Sequence, residues 1–470
     1  MQLGRGYHYL ETHLRSPNDN AVFPYHEEVI VINSLSVFIL VIAVFFACGQ
    51  QSSNRTSPPL DEIAESYVKL ILRIGLYDSD YVDAYYGPEE WRPGENERQD
   101  VFPYEVLSRE AERILKKLAD IEQESLEPIE KKRVDFLAAQ LRAARTRIEI
   151  LNGKTYPFDE ESKYLYDAVA PTCDAAHFDT LLQKLDAKLP GKGPVSDRLT
   201  IFKKDFIIPK DKLDVVFQAA IAECRKRTLE HIELPENEDF EVEYVTGKSW
   251  SGYNWYKGNS FSLIQVNVDL PIYIGRAVDL AAHEGYPGHH VFGTTVEQHM
   301  SRARNWMEYT VYPLFSPHSL IAEGSANYGK EVVLPREERL AFERDVLFPL
   351  AGLDPGRVEA YYEVEKLTDR LNYAGNEAAR NYLDGSISAA AAIDWLVDYS
   401  LLRREEAERK LRFFEQYRSY TINYNLGEDI VRNYVESNGG TPENPEKRWR
   451  LFLDLLSTPN VPSELMKAGR

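Results

Sequence analysis

The sequence predicts a mostly α-helical protein with one small β-sheet. Three segments of the N-terminal half, LDEIAESYVKLILRIGL, YEVLSREAERILKKLADI and EKKRVDFLAAQLRAARTRIEIL, place large apolar residues at steps of three and four, which is the helical period. Strand-like alternation is confined to one zone in the middle of the chain. With 470 residues, of which 43% are hydrophobic, the chain has enough apolar side chains for a large buried core.

Charge narrows the range of expected partners. Acidic residues outnumber basic ones, 75 to 55, and the formal net charge is −20. Nucleic-acid binding depends on clustered Lys and Arg side chains that neutralise phosphates. The composition therefore argues against a nucleic-acid partner and is typical of an acidic globular protein.

An apolar segment near the N-terminus, Val29–Ala47, ends at Cys48 and is followed by the polar stretch GQQSSNRTSPP. A small residue and a cysteine after an apolar run are typical of a bacterial lipoprotein signal, in which the acylated cysteine holds the protein at the membrane. A plain transmembrane anchor is the alternative, because about 20 apolar residues span a bilayer. Either interpretation predicts membrane attachment and a location in the cell envelope, facing the periplasm or the exterior.

Two further cysteines, Cys173 and Cys224, lie in the body of the chain. They would be able to pair in an oxidising compartment. Two cysteines this far apart in sequence are more often separate buried thiols, which is the interpretation we favour.

The sheet is predicted between about Phe240 and Val268, where FEVEYVTG and YNWYKGNSFSLIQVNV combine alternation with β-branched residues. Directly after it, Asp269 and Pro271 are typical of a helix start, so we expect a helix that runs through IYIGRAVDLAAHEGY.

A second helix near the middle of the chain has clear end signals. Ser316 is a suitable N-cap, Pro317 suits the first helical position, and Pro335 follows the last apolar residues. The sequence therefore predicts a helix over SPHSLIAEGSANYGKEVVL, and the remaining chain to the C-terminus is helical in pattern as well.

The motif AAHEGYPGHH contains three histidines and a glutamate within eight residues. Many zinc peptidases carry two histidines four apart on one helix turn, with a glutamate after the first as general base. Here the residue four after His283 is Pro287, which lacks the N–H that would bond the His283 carbonyl and should open the helix.

The proline break changes which histidine can reach the first one. In a straight helix His289 would point about 240° away from His283. A bulge at residues 286–288, with Gly288 free to turn, can return the next histidine to the His283 side. The spacing alone leaves open whether His289 or His290 is that histidine.

Two histidines and a base need a third ligand, and the best candidate is Glu323 in LIAEGSANYG. Its small neighbours Gly324 and Ala326 leave room for a close approach to the histidine helix. Asn327, one turn after the glutamate, and Asp279, one turn before the first histidine, are candidates to orient the ligand rings.

HEGYPGHH together with AEGSANYG resembles the bacterial family called domain of unknown function 885, which is grouped with the Glu-ligand zinc peptidases and is distantly similar to the carboxypeptidase Taq group. The resemblance implies a helical zinc-peptidase-like (gluzincin) fold with a deep cleft and a small sheet beside the active-site helix. It further implies Zn²⁺ as cofactor, with His283, His289 and Glu323 as zinc ligands and Glu284 as general base.

A second match to that family lies in SYTINYNLGEDI, which resembles the family's Ser-Tyr-Lys-Ile-Gly stretch. Tyr424 falls on the tyrosine of that stretch and Gly427 on its glycine. The resemblance implies Tyr424 as a catalytic residue, with Tyr420 as the weaker choice. Arg380 in NYAGNEAARNYLDG is a candidate to meet a substrate carboxylate.

The domain organisation expected from these features has three parts. Residues 1–48 form an N-terminal extension with its signal or anchor, and residues 49–59 form a polar tether. Residues 60–470 form a helical metallopeptidase-like domain, with an N-terminal helical lobe at about 60–235 and an active-site lobe at about 236–470.

The sequence thus favours a zinc-dependent hydrolase that cleaves peptide bonds of short peptides, with Glu284 as the base. The strand SFSLIQVNV is expected to offer a sheet edge to an extended peptide. Two alternatives remain: a membrane-tethered binding protein with a structural or vestigial metal site, and a zinc amidohydrolase that acts on a non-peptide amide.

Overall fold

Helices dominate the computed structural model, which describes residues 58–248 and 250–469. The helices are α1 (Pro58–Gly75), α2 (Tyr104–Ala119), α3 (Pro128–Leu151), α4 (Phe158–Tyr166), α5 (Ala175–Lys188), α6 (Val195–Lys204), α7 (Leu213–Leu229), α8 (Gly275–Leu280), α9 (His289–Val296), α10 (Pro317–Val333), α11 (Arg336–Phe342), α12 (Phe348–Ala351), α13 (Val358–Asp369), α14 (Tyr373–Leu383), α15 (Ala389–Tyr399), α16 (Arg404–Tyr417), α17 (Ile422–Ser437), α18 (Pro445–Leu456) and α19 (Pro462–Ala468). The strands are β1 (Val82–Tyr85), β2 (Asp239–Val245), β3 (Gly252–Gly258), β4 (Phe261–Asn267) and β5 (Val311–Pro313). The mostly helical class predicted from the sequence is confirmed.

The predicted signal or anchor and Cys48 lie outside the described residues, as does most of the predicted tether. Helix α1 begins at Pro58, two residues before the expected start of the body. Across 58–248 and 250–469 no helix combines the length and the apolar character needed to cross a bilayer. The described residues group into one compact unit, and the proposed division into two lobes stays a prediction.

The small sheet lies where the sequence places it, but its strand order differs from the expectation. The order is β2-β4-β3, with β4 parallel to β2 and antiparallel to β3. Strand β4 contains SLIQVN and is therefore central, so the expected free edge at this strand is wrong. The reason is burial: β4 buries every second residue, whereas β2 is largely exposed, and the most buried strand takes partners on both sides.

A second, two-stranded sheet joins β1 and β5, which pair antiparallel. The two strands are far apart in the sequence, since β1 ends at Tyr85 and β5 begins at Val311. Each strand is only three or four residues long. Strands this short show no recognisable alternation, so they could not be predicted from the sequence pattern.

The histidine-bearing helix starts later than predicted. Residues 272–274 lie beside residues 206–208, with an isolated bridge between Ile207 and Tyr273 and a hydrogen bond from Ile274 N to Phe206 O of 2.8 Å. Asp269 does not cap a helix but accepts a hydrogen bond from Gly247 N at 2.7 Å. Helix α8 therefore begins at Gly275, because the preceding backbone is already bonded to a neighbouring segment.

Helix α10 begins and ends as predicted, with Ser316 as N-cap and Pro317 at its first position. It lies at the centre of the domain, packed against α17 along most of its length, and nearly all of its residues are buried. The crossing is close because two glycines meet: a Cβ on Gly427 would lie 2.7 Å from the carbonyl oxygen of Leu320, and one on Gly324 would overlap the Gly427 backbone. The expectation that Gly324 faces the histidine helix is wrong, since it faces α17 instead.

Cys173 and Cys224 are free thiols, as favoured above. Cys224 is buried in the core, where burial raises the pKa of its thiol to about 12. Such a thiol stays protonated and unreactive at neutral pH.

A first prediction concerns the glycine contact. Gly324→Ala should lower the free energy of unfolding by about 1–3 kcal/mol, because the added methyl overlaps the backbone of α17. Gly375→Ala is the matched control: Gly375 also lies inside a helix, but its Cβ would meet nothing within 4 Å.

The control should be neutral or more stable by up to about 1 kcal/mol, since alanine has the better helix propensity. Urea unfolding followed by circular dichroism measures both. Equal effects of the two substitutions would mean that the α10–α17 approach does not limit stability.

Candidate metal centre

The helix that carries His283 opens where Pro287 stands. Helix α8 passes into one wider, π-helical turn at Ala281–Gly285, and Tyr286 is extended, with φ −116° and ψ 112°. The Tyr286–Pro287 peptide bond is cis, and Gly288 N donates to Ala282 O at 2.8 Å before α9 starts at His289. The break expected from the proline is therefore present, and it takes the form of a compact turn.

Glycine is needed at position 288 because this turn leaves no room for a side chain. A Cβ at this position would overlap the carbonyl oxygens of Ala282 and His283. The chain can fold back against its own preceding turn only because hydrogen occupies that place. Any larger residue would push α9 away and take His289 with it.

Three ligand atoms meet beside this turn. His283 Nε2 lies 3.2 Å from His289 Nε2, and Glu323 Oε2 lies 3.4 Å from the former and 3.7 Å from the latter. Zinc bonds of 2.0–2.2 Å in a tetrahedron give ligand separations of about 3.3–3.6 Å. The three residues implied by the family resemblance thus have the spacing of a His₂Glu zinc site.

One oxygen of Glu323 has no partner among the described residues. Oε1 accepts a hydrogen bond from the Tyr420 hydroxyl at 2.8 Å, but Oε2 is buried without one. The side-chain nitrogens near Oε2 in the described part of the chain are those of His283 and His289, at 3.4 and 3.7 Å, so this buried oxygen lacks a hydrogen bond, and a cation between the three groups would satisfy it. This orphaned oxygen is the observation that best fits a bound metal.

The ring of His283 is held in one orientation. Its Nδ1 lies 2.9 Å from Asn327 Oδ1, and Asn327 Nδ2 donates to the backbone oxygen of Tyr424 at 2.8 Å. Because the amide oxygen of Asn327 can only accept, Nδ1 carries the proton and Nε2 keeps its lone pair for a metal. Asn327 therefore occupies the orienting position expected of it.

Asp279 does not orient a ligand ring. Its carboxylate is bonded by Lys330 Nζ at 3.0 Å and by Arg276. Although burial raises the pKa of Asp279, these two cations outweigh it and hold the pKa well below its usual range. The residue one turn before His283 is thus an ion-pair partner instead.

His290 points away from the centre into the core. Its Nδ1 lies 2.9 Å from Ser262 Oγ, and its Nε2 lies 3.0 Å from Glu238 Oε2. Tyr286 donates to the same Glu238 oxygen at 2.7 Å. With both ring nitrogens engaged, His290 packs the turn, and the alternative left open by the sequence falls to His289.

Glu284 is buried beside the two histidines. Its backbone oxygen accepts a hydrogen bond from Asn254 Nδ2 at 2.7 Å, and a Cβ on Gly252 would lie 2.7 Å from its Oε1. One ligand atom each from His283, Glu284 and His289 fall within 4.8 Å of one another. Strand β3, which carries Gly252 and Asn254, therefore holds Glu284 next to the two histidines.

The two carboxylates have opposite proton affinities. Burial raises the pKa of Glu284, and the nearby histidines only partly oppose it. Burial also acts on Glu323, but His289 and His283 outweigh it and hold its pKa well below the usual range. Glu323 is therefore an ionised ligand, whereas Glu284 is the better proton acceptor near neutral pH.

The centre opens into a cavity of about 780 Å³. Residues of strand β3 line it together with Tyr424, Tyr420 and the metal-centre side chains. Strand β3 pairs with β4 alone in its sheet, so within the described part of the chain its other edge has no hydrogen-bonded strand. The edge strand of this sheet that lines the cavity is thus β3, whereas β4 does not line it.

The sequence analysis gave one residue of the cavity too little weight and missed another. Tyr420, given the weaker role, bonds Glu323 directly. Asp83 on β1 accepts a hydrogen bond from the Tyr253 hydroxyl, and burial raises the pKa of Asp83 to about 6. The spacing of Tyr420, four residues before Tyr424, is visible in the sequence. Nothing in the sequence connects Asp83 with the histidine motif, which lies 200 residues further along the chain.

Arg380 does not reach the cavity. Its guanidinium donates to Asp159 at 2.9 Å, to the Ala170 carbonyl at 2.9 Å and to Glu377. The side chain is 8% exposed, and these three acceptors use its donors. The expectation that it meets a substrate carboxylate is wrong, because it ties α14 to α4 and its following loop.

No family model matches the sequence, and neither does any curated protein. Among solved structures, one similar fold is that of a candidate lipoprotein from Colwellia psychrerythraea, with 13% identity, a TM-score of 0.47, and coverage of 77% of this chain and 65% of the other. Another is a candidate lipoprotein of unknown function from Shewanella oneidensis, with 15% identity, a TM-score of 0.39, and coverage of 77% and 72%. The chain thus spans slightly less than two thirds of the first. Likeness at this level assigns neither protein's properties to this chain.

A second prediction follows from the ligand geometry. The purified protein should hold one zinc per chain by elemental analysis, and His289→Gln should weaken zinc binding more than 100-fold, because it removes a direct ligand. His290→Gln should keep the zinc while lowering stability, because it removes the buried contacts of the imidazole ring with Glu238 and Ser262.

His299→Gln is the surface control and should change neither property, since His299 is exposed. Asn327→Ala should weaken zinc binding by about 10–100-fold through loss of ring orientation. Retention of zinc in His289→Gln together with its loss in His290→Gln would reverse the ligand assignment.

Proposed function

We propose that this protein is a zinc-dependent hydrolase that cleaves peptide bonds of short peptides. The observation that carries the proposal is the unpartnered Oε2 of Glu323, which faces two imidazole nitrogens at 3.4 and 3.7 Å with the buried Glu284 beside them. A purely structural metal site has no need of a second carboxylate with a raised pKa next to its first ligand.

In the proposed reaction, zinc, Glu284 and Tyr424 each have a separate role. Zinc, when bound, supplies a Lewis acid for the substrate carbonyl and for the attacking water. Glu284 takes a proton from that water as it attacks and passes the proton to the leaving amine. The hydroxyl of Tyr424, on the cavity wall, donates a hydrogen bond to the oxyanion that forms. Burial raises the pKa of this phenol well above its usual range, so it remains a donor.

The substrate backbone is proposed to lie along β3. Asn254 of this strand bonds the backbone oxygen of Glu284, and the outer edge of the strand has no hydrogen-bonded neighbour among the described residues. An extended peptide beside that edge would continue the sheet and bring its carbonyls to the metal centre. A cavity of about 780 Å³ has room for a few residues of peptide and not for a folded protein. Short peptides are therefore the substrate class that fits.

Membrane attachment in the cell envelope belongs to the same proposal. It is supported by the apolar segment Val29–Ala47 and by Cys48, which would carry the lipid. A hydrolase tethered in this way would act on peptides at the membrane surface.

The alternatives make different demands on Glu284. A membrane-tethered binding protein with a structural metal would not need its carboxylate as a base. A zinc amidohydrolase on a non-peptide amide would need it just as a peptidase does, so the nature of the substrate alone separates these two.

A third prediction tests the base. Glu284→Gln should retain zinc but lower kcat on a library of short peptides by about 10²–10⁴-fold, because the amide cannot accept the proton of the water. Glu160→Gln, an exposed glutamate on α4, is the matched control and should retain full activity. Product formation is measured by mass spectrometry.

Each alternative has its own outcome in this experiment. Zinc-loaded parent protein that cleaves no peptide but cleaves other amides in a Glu284-dependent way would support the amidohydrolase. Absence of any hydrolysis, with peptide binding equal in the parent and Glu284→Gln, would support a binding protein.

A further inference from the structure

The cavity has a second end, away from the metal centre, which is formed largely by α16. Glu406, Arg409, Lys410, Phe413 and Tyr417 all line the cavity. Their spacing of three and four residues places them on one face of the helix. This face leads from the outer end of the cavity toward the tyrosines at the metal centre.

Two cations on this face have no acidic partner. Arg409 and Lys410 form no salt bridge with any residue in 58–248 or 250–469, and Lys410 Nζ instead lies over the rings of Phe413 and Phe414, at 4.6 and 5.5 Å from their centroids. Burial lowers the pKa of Lys410 to about 8, and no carboxylate opposes this shift. In a chain with 75 acidic and 55 basic residues, half-buried cations without a counter-ion call for an explanation.

The other charged groups at this end are already paired. Arg403 bonds Glu406 at 2.7 Å, and Lys203 lies 2.8 Å from Glu365. These pairs cancel their own charges, so Arg409 and Lys410 leave the outer end positive. The inner end, by contrast, carries the carboxylates of the metal centre.

We propose that Arg409 and Lys410 form a subsite that binds a carboxylate of the substrate. A guanidinium and an ammonium that line the same cavity are groups that bind a carboxylate through charge-assisted hydrogen bonds. The inference rests on the proposed function and deepens it: the substrates are short peptides with a free carboxylate beyond the bond that is cleaved.

The position of the subsite sets the length of that peptide. Lys410 Nζ lies 4.6 Å from the Phe413 ring centroid, which lies 6.4 Å from that of Tyr424, so Nζ is at most about 11 Å from the Tyr424 ring. An extended chain advances ~3.3 Å per residue, so this distance corresponds to roughly three residues. Both the terminal carboxylate of a tripeptide-sized segment and an acidic side chain on it would reach Lys410.

The fourth prediction measures peptide binding in a background that does not cleave the peptide. In zinc-loaded Glu284→Gln protein, Leu-Gly-Phe should bind about 10- to 100-fold more tightly than its C-terminal amide by calorimetry, the range for a charge-assisted hydrogen bond. Adding Lys410→Met or Arg409→Gln should reduce this preference at least several-fold. Adding Arg412→Gln, on the same helix but exposed, should leave it unchanged.

A second pair of peptides identifies the source of the carboxylate. If Leu-Gly-Glu amide binds more tightly than Leu-Gly-Gln amide, and the same two substitutions remove the difference, the subsite takes an acidic side chain. Thermal unfolding checks that each variant is folded. Equal binding of acids and amides, or a preference that survives both substitutions, would overturn the inference.

Failure of the proposed function gives a different result. If the parent protein cleaves no peptide but the preference for the free acid depends on Arg409 and Lys410, the subsite stands and the hydrolase does not. If peptides are cleaved without regard to their carboxylates, the hydrolase stands and the subsite does not.

Discussion

The candidate metal centre depends on one tight return of the backbone, from Tyr286 to Gly288. The proline ends the helix and the glycine lets the chain pass against the carbonyl oxygens of the preceding turn, which any Cβ would overlap. His289 is thereby set 3.2 Å from His283, Nε2 to Nε2. The buried bond of His290 to Glu238 then fixes α9 from the other side, so the same turn separates a histidine of the candidate metal centre from a histidine of the core.

The remaining groups of the centre are positioned by the contact between α10 and α17. Gly324 and Gly427 bring the two backbones together. Tyr420 bonds Glu323, and the Tyr424 carbonyl holds Asn327, which orients His283. The crossing of α10 and α17 therefore positions both Glu323 and Asn327, the residue that orients His283. Glycine occurs at the closest point of the crossing because a larger residue would separate the two helices.

The sequence predicted what depends on local pattern. The helical class, the zone of the sheet, the caps of α10 and the break at Pro287 follow from periodicity and backbone chemistry over a few residues. It could not predict that β4 is central or that α8 starts only at Gly275, because both depend on which distant backbone occupies the hydrogen bonds. Arg380 shows the same limit: a lone arginine on a helix has the same sequence signature whether it binds a substrate or joins Asp159 and Glu377.

The charges along the cavity matter more to a ligand than the net charge of −20. In physiological salt, charges beyond about 8 Å are largely screened in solvent, so the acidic surface does little to repel an acidic peptide that has entered. Inside the cavity, Lys410 lies against two aromatic rings, where screening is weaker and each unpaired charge acts more strongly. For the proposed peptide substrate, a negative charge bound at α16 would place the uncharged backbone near Tyr424 and Glu284. In that proposal the separation of charge along the cavity orients the peptide as well as binding it.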